Sequence, residues 1–245
     1  MENKTRPNDS VGRASKYFKY ALGEIILVVI GILIALSINN WNEKRKSQNR
    51  ANDLYEKLKI ELAQKVEYLE FSYNGIEHQL TYLHMVMNAD TTTIDSIVAM
   101  PRFGLNPIFY MTSYSQFFDP PSDIYETALN DGSIRLIKDK SLTKILQEFH
   151  QSYKLRADQI IQEEYTQGRE INNYISRTYA SLFEGELLTS EYQWNERIVK
   201  NLLLNIPNDG TLKYMLAERI QLKKARQLFV YRFKNGFTRQ LERYK

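Results

Sequence analysis

The segment YFKYALGEIILVVIGILIALSINNWNEKRKSQNR, residues 17–50, decides the fold. Residues 21–38 carry a single charged side chain, Glu24. At ~1.5 Å per residue, roughly 20 apolar residues cross a bilayer core, so this run has spanning length. Tyr17, Phe18 and Tyr20 stand at one end and Trp41 at the other, where aromatic belts sit at the two interfaces. The reading is a transmembrane anchor helix over residues 17–41. Its alternatives are a cleaved signal peptide, with Ala35-x-Ser37 as the site, and a buried core helix. Helix-compatible sequence runs straight through the supposed cleavage site. An Ile/Leu/Val run with no polar face is unlike a bundle helix.

One stripe of the span stands out. Stepping ~100° per residue, Glu24, Gly31, Ala35 and Asn42 share a face. Small residues there let two spanning helices approach, and Glu24 could pair across such a contact. The competing reading puts Glu24 at headgroup level. Lys/Arg near the span are balanced: Lys4, Arg6, Arg13, Lys16 and Lys19 before it; Lys44, Arg45, Lys46, Arg50, Lys57 and Lys59 after it. The charge rule therefore does not set the orientation. A short N-terminal tail before a long domain is the pattern of an uncleaved anchor. The expectation is a cell inner membrane protein with the N-terminus cytoplasmic and the domain periplasmic.

Residues 1–16 are polar and read as a disordered tail. Downstream of the span neither Gly nor Pro occurs between Gly31 and Gly75. Leu54, Leu58, Leu62, Val66, Leu69, Tyr73, Ile76, Leu80, Leu83 and Met87 repeat at spacings of three and four, the seam of a coiled-coil-like helix. The span and this helix read as one helix from about Tyr17 to Met87. Gly 10 and Pro 6 in 245 residues favour long helices over a turn-rich fold. Seventeen Tyr suit helices with half-wet faces.

The block YFKYALGEIILVVIGILIALSINNWNEKRK, residues 17–46, resembles the N-terminus of a domain-of-unknown-function family, six-zero-nine-zero, of small membrane proteins found mostly in Bacteroidota. YETALNDGSIRLIKDKSLTKIL, residues 125–146, is similar to that family's second block, with Asn130-Asp131-Gly132 in place of Ser-Ser-Gly. The resemblance implies one span and a helical domain. It implies no activity and carries over no functional residue.

Residues 88–121 break the periodicity and hold four of the six prolines. Phe103, Phe109, Tyr110, Phe117 and Phe118 make this a packed loop capping a bundle, or a partner surface. Asp123-x-x-Glu126 opens a short helix that Asn130-Asp131-Gly132 ends. Residues 134–137 read as an extended turn, and Asp139 or Ser141 as the next cap. A helix follows over about 142–183, its seam interrupted by Arg156, Glu164 and Gly168, the last a kink or a close contact. A shorter helix over 190–205 includes Trp194. The 207–210 turn precedes a final helix over about 211–244. The fold class is all-α: the anchor helix continues into an elongated antiparallel bundle, residues 42–245, with one long packed loop.

Chemistry is absent from the motifs. No Glu-x-x-His, His-Glu-x-x-His, Gly-rich phosphate loop or Gly-x-Ser-x-Gly occurs, and there is no cysteine. Glu163-Glu164 and Glu184-Gly185-Glu186 read as solvated acidic pairs. The basic C-terminal tract from Lys223, interleaved with Phe229, Tyr231, Phe233, Phe237 and Tyr244, reads as an outer face balancing acidic partners. A net charge of +4 is too small to argue for nucleic acid. No catalytic residue, metal ligand or cofactor is assigned. The expected partners are the lipid bilayer, a second copy through the span and first long helix, and an envelope protein. The functional reading is a non-enzymatic interaction or scaffold module. The alternatives are a ligand-sensing bundle signalling through a partner and an envelope enzyme.

Overall fold

No proline falls between Pro7 and Pro101, and one helix uses most of that interval. In the computed structural model, α1 runs Ser10–Met87. The structure describes residues 10–102, 105–115, 123–182 and 195–244, with side chains from residue 22 onward. Contacts divide the chain into two units, Met1–Leu54 and Tyr55–Lys245.

In the first unit, α1 already includes residues 10–16, which the sequence assigns to the polar tail. Residues 1–9 and the side chains of Tyr17, Phe18 and Tyr20 lie outside the described set. The apolar side chains stand outward on every face: Leu27 is 73 %, Ile38 60 % and Trp41 62 % exposed. The most apolar window has a mean hydropathy of 2.4 and is 0 % buried; among the described residues this one helix is long and apolar enough to cross a membrane. A core helix buries such a window, the reverse of what this one does.

The second unit is built on α1 from Tyr55 and on two further long helices, α6 (Lys154–Thr178) and α8 (Gly210–Glu242). Between α1 and α6 lie α2 (Ile94–Ala99), α3 (Pro107–Thr112), α4 (Asp123–Asn130) and α5 (Lys140–Glu148). α7 (Glu196–Asn205) precedes α8. The inward face of α1 is Leu58, Leu62, Lys65, Leu69, Ser72, Ile76, Gln79, Leu83 and Val86, alternately four and three apart, and all are buried. The expected seam shares Leu58, Leu62, Leu69, Ile76 and Leu83 with it. Val66, Tyr73 and Met87, however, are only half-buried. A seam traced through apolar residues alone steps one position aside wherever a polar residue occupies the inward place. α8 repeats the spacing with Leu212, Leu216, Arg219, Lys223, Arg226, Val230, Phe237 and Gln240, again all buried.

The level of the contacts gives the directions. Tyr55 meets Tyr244 with ring centroids 5.9 Å apart and Tyr73 meets Tyr231 at 6.0 Å, so α8 runs antiparallel to α1. Phe149 against Phe237 (5.3 Å) and Tyr174 hydrogen-bonded to Asp209 make α8 antiparallel to α5 and α6 as well. α1 and α6 are therefore parallel, and the chain between them must travel back. Residues 88–139 do this. The expected loop is packed but partly helical: α2 lies on α7 and α3 on α6. Arg102 fixes its bend, Nη1 donating to the carbonyls of Val98 (2.7 Å) and Met100 (2.6 Å).

Local signals place the remaining boundaries. α4 ends before Gly132, whose φ of 76° is the left-handed conformation that favours glycine. Residues Ser133–Leu136 form a 3-10 turn, not the extended stretch expected. Asp139 caps α5, accepting from the N–H groups of Ser141 and Leu142. The expected helix over 142–183 is divided by a π turn at Phe149–Tyr153. It directs Phe149 and Tyr153 into an aromatic stack, with Tyr153 4.7 Å from Phe229 and 4.4 Å from Phe233. Of the C-terminal phenylalanines, Phe237 is buried and Phe229 and Phe233 are half-buried against this stack. The Glu184-Gly185-Glu186 pair and Trp194 lie outside the described residues.

Candidate functional site

Gly168 explains why a charged cluster can form. It is a seam residue of α6, and a Cβ there would lie 2.0 Å from the carbonyl oxygen of Thr112. It marks a close contact, not a kink. Without a side chain at 168, the backbone leaving α3 lies directly on α6. Asn172 Nδ2, one turn on, donates to Ser113 Oγ at 2.7 Å. One turn back, Ser115 Oγ donates to the Glu164 carboxylate. Positions 164, 168 and 172 thus form one strip of α6 that receives residues 112–115.

α8 supplies cations to the same place. Glu164 Oε2 accepts from Lys223 Nζ at 2.9 Å and Arg226 Nη1 at 3.0 Å. Arg219 reaches past the carboxylate, donating to the Glu164 carbonyl (2.9 Å) and the Tyr114 carbonyl (3.2 Å). Gln79 of α1 donates to the carbonyls of Tyr110 (2.8 Å) and Tyr114 (2.9 Å). Glu164, Arg219 and Lys223 are each 0 % exposed. Glu164 Oε1 and Arg219 Nε have no hydrogen-bond partner among the described residues. Burial raises the Glu164 pKa, but Lys223 and Arg226 together outweigh it and hold the carboxyl at about 2. Burial pushes the Lys223 amine down to about 7; Arg219 and Arg226 act the same way and Glu164 opposes them.

A second cluster surrounds Glu61 of α1, 1 % exposed. Its Oε1 pairs with Lys65 Nζ at 3.0 Å, one turn along the helix. Its Oε2 accepts the Tyr125 backbone N–H at 2.8 Å, one of the donors left free in the first turn of α4. His150 stands between two carboxylates: Nε2 is 4.0 Å from Glu61 and Nδ1 3.3 Å from Glu126. The Tyr125 ring stacks on His150 at 4.7 Å, and Lys65 Nζ lies 4.4 Å from the Phe149 ring centroid. Burial raises the Glu61 pKa, but His150, Lys65 and the Tyr125 N–H outweigh it and the net shift is downward. Both carboxylates are held in the charged form with protein groups as their solvent.

The residues singled out in sequence are placed differently. Glu24, Gly31 and Ala35 lie on the exposed part of α1, and Asn42 is half-buried. Of the proposed aromatic surface, Phe109 is half-buried and Tyr110 is 0 % exposed. Tyr110 is a correction: its hydroxyl is 2.7 Å from His78 Nδ1 and its ring centroid 5.2 Å from that of Tyr82, so it fills the core. Phe103, Phe117 and Phe118 lie outside the described residues. Glu164 is a second correction, enclosed where a solvated pair was expected; its neighbour Glu163 is the exposed one. Lys223 and Arg226 likewise leave the basic outer face and turn inward. The signal that would have found them is the seam of α8, where Arg219, Lys223 and Arg226 fall at the same alternating spacing as Leu212, Leu216 and Val230.

These features define a class: an all-α protein with a charged interior and one helix long and apolar enough to cross a membrane. The chain belongs to the family of unknown function DUF6090, whose model matches residues 24–188. The matched stretch takes in Glu61, Ser115, His150 and Glu164 and stops before α8. No curated protein and no solved structure matches the chain.

Proposed function

We propose that this is a single-pass protein of the cell inner membrane, with its N-terminus cytoplasmic and its helical domain periplasmic. The domain acts as a non-enzymatic interaction or scaffold module. The observation that carries the reading is the apolar part of α1, exposed on all faces from Leu22 to Trp41. In water such a surface would aggregate; in a bilayer it is solvated. The non-enzymatic part is supported by enclosure. Glu164, Arg219 and Lys223 have no exposed surface on which to meet a substrate, and their charges are directed at one another and at backbone carbonyls. The small-residue stripe of Glu24, Gly31 and Ala35 is the face on which two copies would associate.

The test is a reporter fused after residue 245, read on both sides of the membrane, with alkaline extraction of the same membranes. A membrane-retained protein with a periplasmic reporter is expected. Release by alkali overturns the anchor, and a cytoplasmic reporter overturns the orientation alone. Crosslinking in membranes that recovers monomers only removes the self-association.

A further inference from the structure

Residues 112–115 form a strap fixed to all three long helices by polar contacts. Gln79 of α1 and Arg219 and Lys223 of α8 converge on the Tyr114 carbonyl, at 2.9, 3.2 and 3.4 Å. α6 holds Ser113 through Asn172 and Ser115 through Glu164. Lys223 bridges the Tyr114 carbonyl of the strap and the buried carboxylate from α8, and it is 0 % exposed. A neutral amine can donate to both acceptors at no cost in buried charge. An ammonium in the same place must share Glu164 Oε2 with Arg226 and stand beside Arg219. We propose that Lys223 is a proton-operated clasp, its neutral form closing the strap onto α6 and α8 and its charged form loosening it.

The groups facing Lys223 define the switch. From α6 comes Glu164; from α8, Arg219 and Arg226; from the strap, the Ser115 hydroxyl and the Tyr114 carbonyl; from α1, the Gln79 amide. The phenols near Arg226, Tyr114, Tyr153 and Tyr165, are pushed up by burial and stay neutral. Glu164, held at about 2, stays charged across the neutral range. An amine freed into water titrates near 10.5, against about 7 in the closed cluster. Between those values the open strap binds one proton more than the closed one. Closure therefore strengthens with pH, by up to about tenfold per unit, and the dependence ends below about 7. This inference is independent of the membrane reading.

The test uses the full-length wild-type chain in detergent between pH 6 and 9.5. Amide exchange at residues 108–115, corrected for intrinsic rates, is compared with the side-chain 13Cε resonance of Lys223, assigned through its backbone. The expected result is a Lys223 titration near neutrality, with protection of 108–115 flat below about 7 and rising above it by up to tenfold per unit. Protection that stays flat, or a Lys223 resonance that does not titrate below pH 9, overturns the clasp. In K223R, which stays charged, the slope is expected to vanish; an unchanged slope overturns the proposal equally.

Discussion

Glu61 and Glu164 are both enclosed carboxylates, and they are stabilised from different distances along the chain. Glu61 finds its first cation four residues away on its own helix, Lys65 at 3.0 Å. Among the described residues the side-chain donors to Glu164 come from elsewhere: Ser115, Lys223 and Arg226 stand 49, 59 and 62 residues away in sequence. The Glu61 pair is half assembled once α1 turns. The Glu164 cluster exists only after α6, α8 and the strap have docked. A buried charge without its partner costs several kcal/mol. Sliding α8 by one turn along α6 would leave Lys223 and Arg226 without their carboxylate, so this cluster specifies register as well as adding stability. Glu61 cannot do so to the same degree, because its lysine moves with it.

The largest effect expected from this contrast is that of E164A. The Arg226 guanidinium and the Lys223 amine lose their shared acceptor, and the loss of stability is about 3–5 kcal/mol. Urea unfolding of the full-length chain in detergent reads it. A loss under about 1 kcal/mol would mean that the cluster does not organise the bundle, and the distinction would collapse. A triple apolar replacement, E164L with K223M and R226M, should recover most of the stability, since well-packed apolar groups often replace a buried ion pair without loss.

E61A should cost less, about 2–3 kcal/mol. Lys65 keeps its contact with the Phe149 ring and the attraction of Glu126 and Asp123. Acid separates the two carboxylates further. Each has its folded pKa lowered, so each contributes stability that is complete above its unfolded value and declines as pH falls. For Glu164 the decline runs from 4.5 down to about 2. E164Q should therefore flatten the acid limb of the stability curve between those values more than E61Q does. Equal flattening would erase the ranking, and greater flattening by E61Q would reverse it.

The same contrast accounts for how much could be read in advance. The long helices, the capping Asp139 and the turn at Gly132 depend on residues within a few positions, and the sequence pattern announces them. Lys65, Ser72 and Gln79 escape a seam traced by hydrophobicity, which moves to Val66, Tyr73 and Leu80 beside them. Glu164 looks like any acidic residue on a helix until α8 is in place. Only its distant partners distinguish a solvated Glu163 from an enclosed Glu164. Gly168 belongs to both cases: it was legible as an interruption, while its reason, the backbone of Thr112, lies 56 residues earlier (168 − 112).

That reason yields the next prediction. G168A places a Cβ 2.0 Å from a backbone carbonyl, where no flexible side chain can yield. The strap or α6 must shift, at a cost of about 1–3 kcal/mol. Amide exchange should rise at residues 112–115 and leave the residues around Glu61 unchanged. An effect that spreads equally to both clusters would show that they are one cooperative unit, and the comparison would lose its meaning.

The smallest effect belongs to a carboxylate that is only half-buried. Asp209 caps α8, accepting the Leu212 N–H at 2.9 Å, and also accepts the hydroxyls of Tyr174 (3.1 Å) and Tyr179 (2.6 Å). Burial raises its pKa, and the Leu212 N–H with the two hydroxyls outweighs that and lowers it. D209A removes an N-cap at a typical cost of about 1 kcal/mol. D209N should cost less, since an amide oxygen can still accept from Leu212 while the amide nitrogen cannot accept from Tyr179. Thermal melts of the two variants separate the cap from the tyrosine contacts. If D209A costs as much as E61A, enclosure does not separate these carboxylates, and the ranking must be rebuilt on the number of donors each one satisfies.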